Sequence, residues 1–219
     1  MFDPAIEVRW DSAVSGREEQ VERAAAGFAR LVKLMADLRG TGGCPWDREQ
    51  SLASLRQYVR EEAEEVCSAI DRLLEFEDGL RHKAGMPAAD PSPPGKGDSA
   101  RTGKKGLSIA HHPHRADFDA AASASGAPLP ALSVEDRRER DKLYGELIAE
   151  LGDLMLQPVF QGDILLALGY PGADESIEQL LDKLIRRHPH VYGGKKVSNA
   201  AEVLANWEEI KRAERADGD

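Results

Sequence analysis

The 219-residue chain is poor in several things that would have decided its class at once. It has two cysteines, Cys44 and Cys67, and no CxxC spacing. That excludes a disulfide scaffold and a cysteine zinc site, and it fits a reducing compartment. Aromatic residues make up 5% of the chain, so the core rests on aliphatic side chains. No apolar run approaches the roughly 18 residues that would suggest a membrane span. The first residues, Met1-Phe2-Asp3-Pro4, lack the basic-then-apolar order of a secretory leader. Basic charge is also short: 29 Lys and Arg against 39 Asp and Glu leave a net charge of −10. Stable nucleic-acid binding draws most of its affinity from cations on phosphates, so that class is disfavoured. The expectation is a cytoplasmic protein of one domain over residues 1–219, with 41% apolar residues to build its core.

What is present is acidic and periodic. Arg60-Glu61-Glu62-Ala63-Glu64-Glu65-Val66 lies in a string that reads as helix, and Glu150-Leu151-Gly152-Asp153 lies in another. Residues at i and i+3 share a helical face, so Glu62 with Glu65 forms one two-carboxylate clamp and Glu150 with Asp153 a second. Acidic helical turns are usually solvated surface. The second pair, however, sits among Leu147, Ile148, Leu151, Leu154, Met155 and Leu156, and carboxylates in apolar surroundings need a partner. Four carboxylates facing one another repel unless a cation lies between them. Hard oxygen donors of this kind suit Mg²⁺ or Mn²⁺, and Mg²⁺ is commonly shared with substrate phosphates.

Taken in order, the chain predicts an all-α bundle. Ser15-Gly16-Arg17-Glu18 has the form of a capping box. Val21, Ala24, Ala25, Phe28, Leu31, Val32, Met35 and Leu38 then mark a buried helical face that ends at Gly40. Residues 40–50 form a Gly/Pro loop in which Trp46 is either a plug over the core or a surface for stacking on a base. Ser51 opens a helix running to about Phe76, its buried side marked by Leu52, Leu55, Val59, Val66, Ala69, Ile70 and Leu73.

Residues 78–132 hold seven of the twelve prolines and no apolar period, which predicts a flexible insertion between helical cores at 15–77 and 133–216. The cluster His111, His112 and His114 in that tract is a weak metal candidate. Ser133 restarts helix to about Leu168, with a kink expected near Gln157 because Pro158 removes a backbone donor. Glu175 to Arg187 is a further helix with Ile177, Leu180, Leu181, Leu184 and Ile185 buried, and Asn199 caps the last one.

Lys183 and Arg187 fall at i, i+4 near that helix's C-terminus. They are ordinary complements of the helix dipole, or a pair suited to phosphate oxygens. Trp207 and Lys211 are spaced the same way.

With those pieces placed, the chain resembles the MazG family of nucleoside triphosphate pyrophosphohydrolases. The strings GGCPWDREQ (42–50), EEAEEVCSAI (61–70), ELGDLMLQ (150–157), KLIRRHPHVYG (183–193) and NWEEIK (206–211) carry the likeness. The resemblance implies an all-α NTP pyrophosphatase fold, assembly as a homodimer or higher oligomer, and Mg²⁺-dependent cleavage of nucleoside triphosphate to monophosphate and pyrophosphate in nucleotide-pool house-cleaning. It implies metal positions at Glu62, Glu65, Glu150 and Asp153, phosphate contacts at Lys183 and Arg187, and substrate-site positions at Trp207 and Lys211. Trp46 is the candidate for base stacking, and Glu61 or Glu65 for the general base. The chain departs from the family at Ser51-Leu52, where Thr-His is frequent, at Gln161, where His is, and at Pro158.

Three alternatives remain: a related bundle enzyme acting on dUTP or a phosphoribosyl nucleotide, a non-catalytic helical interaction module, and a di-iron carboxylate protein. The last would need Glu-x-x-His pairs, which both clamps lack.

Overall fold

The computed structural model describes residues 18–89 and 124–216, and the described residues contain seven helices and no strand. Ser15 and the histidines at 111, 112 and 114 lie outside the described residues. Residues 18–89 with 124–174 make one compact unit, and 175–216 make another.

The first unit is built on two long helices, α3 (Leu52–Lys83) and α4 (Val134–Ala167). Both start as expected. Ser51 and Ser133 each accept the backbone N–H three residues on, and Ser54 and Asp136 return the bond, satisfying donors a helix start leaves unpaired. The two helices run antiparallel: Glu62 and Glu65 lie opposite Glu150, Arg72 meets Glu146 at 3.4 Å, and Tyr144 reaches Glu77 at 3.5 Å. α1 (Glu18–Arg39) packs across α4. Met35, Leu55, Val159, Phe160 and Ile164 form the core there, flanked by Phe28, Leu31, Leu38, Tyr58 and Leu156.

Several expectations need correction. Helix α3 continues to Lys83, past Phe76, because Leu80 and Arg81 are buried and hold the extra turns in place. The 40–50 loop contains a short helix, α2 (Pro45–Glu49), whose Pro45 sits in the first turn, where no donor is lost. The helix through Pro158 needs no correction, since α4 runs on to Ala167 as expected: Gln157, Val159 and Phe160 around the proline are buried, and that packing offsets the missing backbone bond.

The apolar run around the second clamp is not interior. Ile148 is 68% exposed, and Leu151 and Met155 are exposed beside it. Val32, Leu52 and Ile70 are exposed as well. Position 162 shows how tightly the unit closes. A Cβ added to Gly162 would lie 2.7 Å from the backbone nitrogen of Ala173. Gly162→Ala should therefore destabilise by about 1–3 kcal/mol through overpacking, despite the roughly 1 kcal/mol that alanine gains in a helix. Urea unfolding monitored by circular dichroism measures the sign.

The second unit contains α5 (Ala173–Arg187, within it from Glu175), α6 (Pro189–Tyr192) and α7 (Ala200–Ala216). No residue of α5 is buried, so Ile177, Leu180, Leu181 and Leu184 do not form the buried face expected of them. The amphipathic pattern is there, but too little of the chain covers it. Asn199 accepts the backbone N–H of Glu202 at 3.0 Å, as its capping position requires.

Candidate functional site

Antiparallel packing of α3 on α4 decides the geometry of the acidic turns. Carboxylate oxygens of Glu62, Glu65 and Glu150 lie within 4.8 Å of one another. Glu62 and Glu150 are half-buried and Glu65 is exposed. Asp153, exposed one turn on, stands outside this trio but acts on it. Burial, with the charges of Asp153, Glu65, Glu150 and Glu61, raises the Glu62 carboxyl above the usual carboxylate range. Burial also raises Glu150, together with the charge of Glu65, a side-chain hydrogen bond to it, and Asp153; Arg72 opposes the shift.

Carboxylates this close repel one another, and a cation between them would relieve that repulsion. The donor set fits Mg²⁺ or Mn²⁺. It is all oxygen, contains no His or Cys, is partly open to water, and its carboxylates repel one another. Arg72 is the cation recorded as acting on Glu150, and it also engages Glu146 at 3.4 Å.

Trp46 is anchored next to the bundle core. Its ring meets Tyr58 and Phe160 edge-on at 6.0 and 6.5 Å between centroids, while about half of the side chain stays exposed. Plug and open surface each describe part of it, since one side seals the core and the other faces outward. Arg39 organises this loop, a role the sequence pattern did not reveal. Its Nε donates to Asp163 at 2.7 Å, its Nη1 to the carbonyl of Asp47, and its guanidinium lies over the Phe160 ring at 5.4 Å. Glu61 is exposed and lies outside the trio.

In the second unit, Arg187 is held by Glu214: Nε lies 3.1 and 3.2 Å from the two carboxylate oxygens and Nη2 2.5 Å from one of them. The pair holds the Glu214 carboxyl below the usual carboxylate range, with Arg186 and Lys183 adding to the effect. Trp207 lies 6.2 Å from the His188 ring, and Lys211 meets Glu208 at 3.9 Å. Glu214 was absent from the sequence-based candidates. Its spacing could have found it: it follows Trp207 by seven residues and Lys211 by three, on one helical face.

The MazG nucleotide pyrophosphohydrolase domain matches residues 108–192, a stretch that contains Glu150, Asp153, Lys183 and Arg187 but neither Glu62 and Glu65 before it nor Trp207 and Lys211 after it. The nucleoside triphosphate pyrophosphohydrolase of Escherichia coli is 29% identical over 188 residues, 85% of this chain and 45% of that protein. The nucleoside triphosphate pyrophosphohydrolase/pyrophosphatase MazG of Thermotoga maritima is 27% identical over 188 residues, 86% of this chain and 45% of that protein. The protein YabN of Bacillus subtilis is 28% identical over 188 residues, 86% of this chain and 24% of that protein. The chain thus spans half or less of the length of these curated relatives. No solved structure gives a significant match. No helix among the described residues is long and apolar enough to cross a membrane. Helices throughout the described residues, two acidic helical turns meeting on one bundle, and likeness along most of its length converge: this chain is similar to the MazG nucleotide pyrophosphohydrolases, whose domain matches its residues 108–192.

Proposed function

We propose that the protein hydrolyses nucleoside triphosphates to monophosphate and pyrophosphate, with Mg²⁺ (or Mn²⁺) held by Glu62, Glu65, Glu150 and Asp153, and that it serves nucleotide-pool house-cleaning. The observation that supports this most is the carboxylate trio within 4.8 Å, whose burial and mutual repulsion raise Glu62 and Glu150. Bound there, a divalent ion supplies charge neutralisation for the polyphosphate and lowers the pKa of water. The rest falls to the chain's own residues. Glu61, next to the trio but outside it, accepts the proton of the attacking water at its carboxylate; Glu65 is the other candidate. Lys183 and Arg187 bind phosphate oxygens and steady the charge that develops on the leaving pyrophosphate. Trp46 and Trp207 offer open aromatic surface to a base, and Lys211 offers a cation to the substrate.

In the same reading the chain acts as one domain, in the cytoplasm, as a homodimer or higher oligomer. The exposed Leu34, Ile148, Leu151 and Met155 support an assembly that covers them. Incubation of the purified protein with single nucleotides, followed by separation of products, tests the reaction. Pyrophosphate, and no orthophosphate, is expected with Mg²⁺, and EDTA should abolish it. An intact helical protein with no metal-dependent turnover on any nucleotide would leave a binding module as the better description.

A further inference from the structure

Arginine carries five N–H donors, and how they are divided decides what Arg187 can do. Glu214 takes the side edge, formed by Nε and the inner Nη2 hydrogen. No other hydrogen bond of Arg187 to the described residues is present. The end edge, where the two Nη groups point outward in parallel, is the fork that matches two oxygens of a phosphate. The pair is well enclosed: Glu214 is 9% and Arg187 16% exposed. Arg186 approaches the same carboxylate at 3.4 Å, so the charge of Glu214 is matched whether or not Arg187 has a second anion. Such an arrangement fixes the plane of the guanidinium before a ligand arrives. An arginine left free would lose side-chain freedom on binding, and that loss would weaken every contact it makes.

We propose that Glu214 is a positioning residue: it clamps the side edge of Arg187 so that the end edge is presented to phosphate oxygens of the substrate. This role rests on the assignment of Arg187 to phosphate under the proposed function. A purely structural role, tying α7 to α5, would change stability and leave turnover per folded molecule intact. Positioning acts on catalysis through Arg187 alone.

Four measurements separate these. First, the ¹⁵N-resolved Arg187 Nε–H signal should exchange slowly in the wild type and rapidly in Glu214→Ala; fast exchange in the wild type overturns the clamp. Second, Glu214→Ala should lower kcat for nucleoside triphosphate about 10- to 100-fold, with a smaller change in KM. Glu214→Asp should recover part of the loss; an unchanged kcat overturns positioning. Third, Arg187→Ala combined with Glu214→Ala should cost no more than Arg187→Ala alone, whereas additive losses overturn it. Fourth, binding of inorganic pyrophosphate with Mg²⁺ should weaken at least about 10-fold in Glu214→Ala, and equal affinity overturns the proposal. This last measurement does not need turnover. A wild type that releases no pyrophosphate from any nucleotide therefore refutes the hydrolase assignment, while pyrophosphate affinity still decides the role of Glu214. Should Glu214→Ala unfold, Glu214→Gln, which keeps one acceptor and loses the charge, gives the same readings at smaller amplitude.

Discussion

Glu150→Gln is expected to lower Mg²⁺-dependent pyrophosphate release about 10³-fold and, in EDTA, to raise the melting temperature. The two effects have one cause. Glu150 faces Glu65 and Glu62 within 4.8 Å, and desolvation and repulsion both raise the carboxyls of Glu62 and Glu150. The folded chain therefore binds those protons more tightly than the unfolded chain does. That preference contributes stability below the ordinary glutamate range and is lost as pH rises through the raised values. At neutral pH without metal, the cluster works against the fold, and replacing one carboxylate by a neutral amide relieves it.

Glu214 sits in the opposite window. Its lowered carboxyl contributes stability that disappears only as pH falls below the usual carboxylate range, so the two are separable in a pH series. Added Mg²⁺ should raise the wild-type melting temperature at neutral pH and have little effect on the variant. A surface cluster with no metal role predicts a different pattern: near-normal turnover in Glu150→Gln and no Mg²⁺-dependent stabilisation of either protein.

The acidic turns were legible in the sequence because helix geometry is local. An i, i+3 pair shares a face whatever the chain does later, and the caps at Ser51, Ser133 and Asn199 are equally local. Apolar neighbours in the sequence were a weaker guide. Ile148 and Met155 are exposed, so Glu150 is half-buried because it meets α3 and not because its own helix sinks into a core. Nothing in the spacing of residues 147–156 distinguishes an interior face from an uncovered one. Arg39 was missed for a related reason. Its partners Asp163 and Asp47 are 124 and 8 residues away, and only the fold brings all three together. Composition also drew the insertion too wide. A proline-rich average over 78–132 hid two ends, residues 78–83 and 124–130, that have definite partners.

Those ends carry the other large prediction. Arg81 is 1% and Glu77 0% exposed, one helical turn apart at 3.8 Å. Arg81 donates to Ser125 Oγ at 2.7 Å, to the carbonyls of Ala127 (3.2 Å) and Pro128 (3.3 Å), and to Asp78 at 2.6 Å. Glu77 accepts from the backbone of Ala124 at 2.8 Å, and Asp78 from that of Ala89 at 3.2 Å. Both sides of the tract are thus fastened to the same turn of α3.

Arg81→Met keeps much of the volume and removes every one of those donors, leaving Glu77 as a buried charge without its closest cation. Breaking a buried pair on one side costs about 3–5 kcal/mol. For a chain of this size that is a fall in melting temperature of roughly 6–20 °C. Glu77→Gln should cost far less, because burial already pushes the Glu77 carboxyl upward and the amide oxygen still accepts from Ala124. Adding Glu77→Gln to Arg81→Met should therefore recover part of the loss, since the stranded charge is gone. Equal destabilisation by the single and the double variant would place the cost in the lost bonds to residues 125–128 and not in the buried charge. A shift of only a degree or two in Arg81→Met would show that neither matters to the fold.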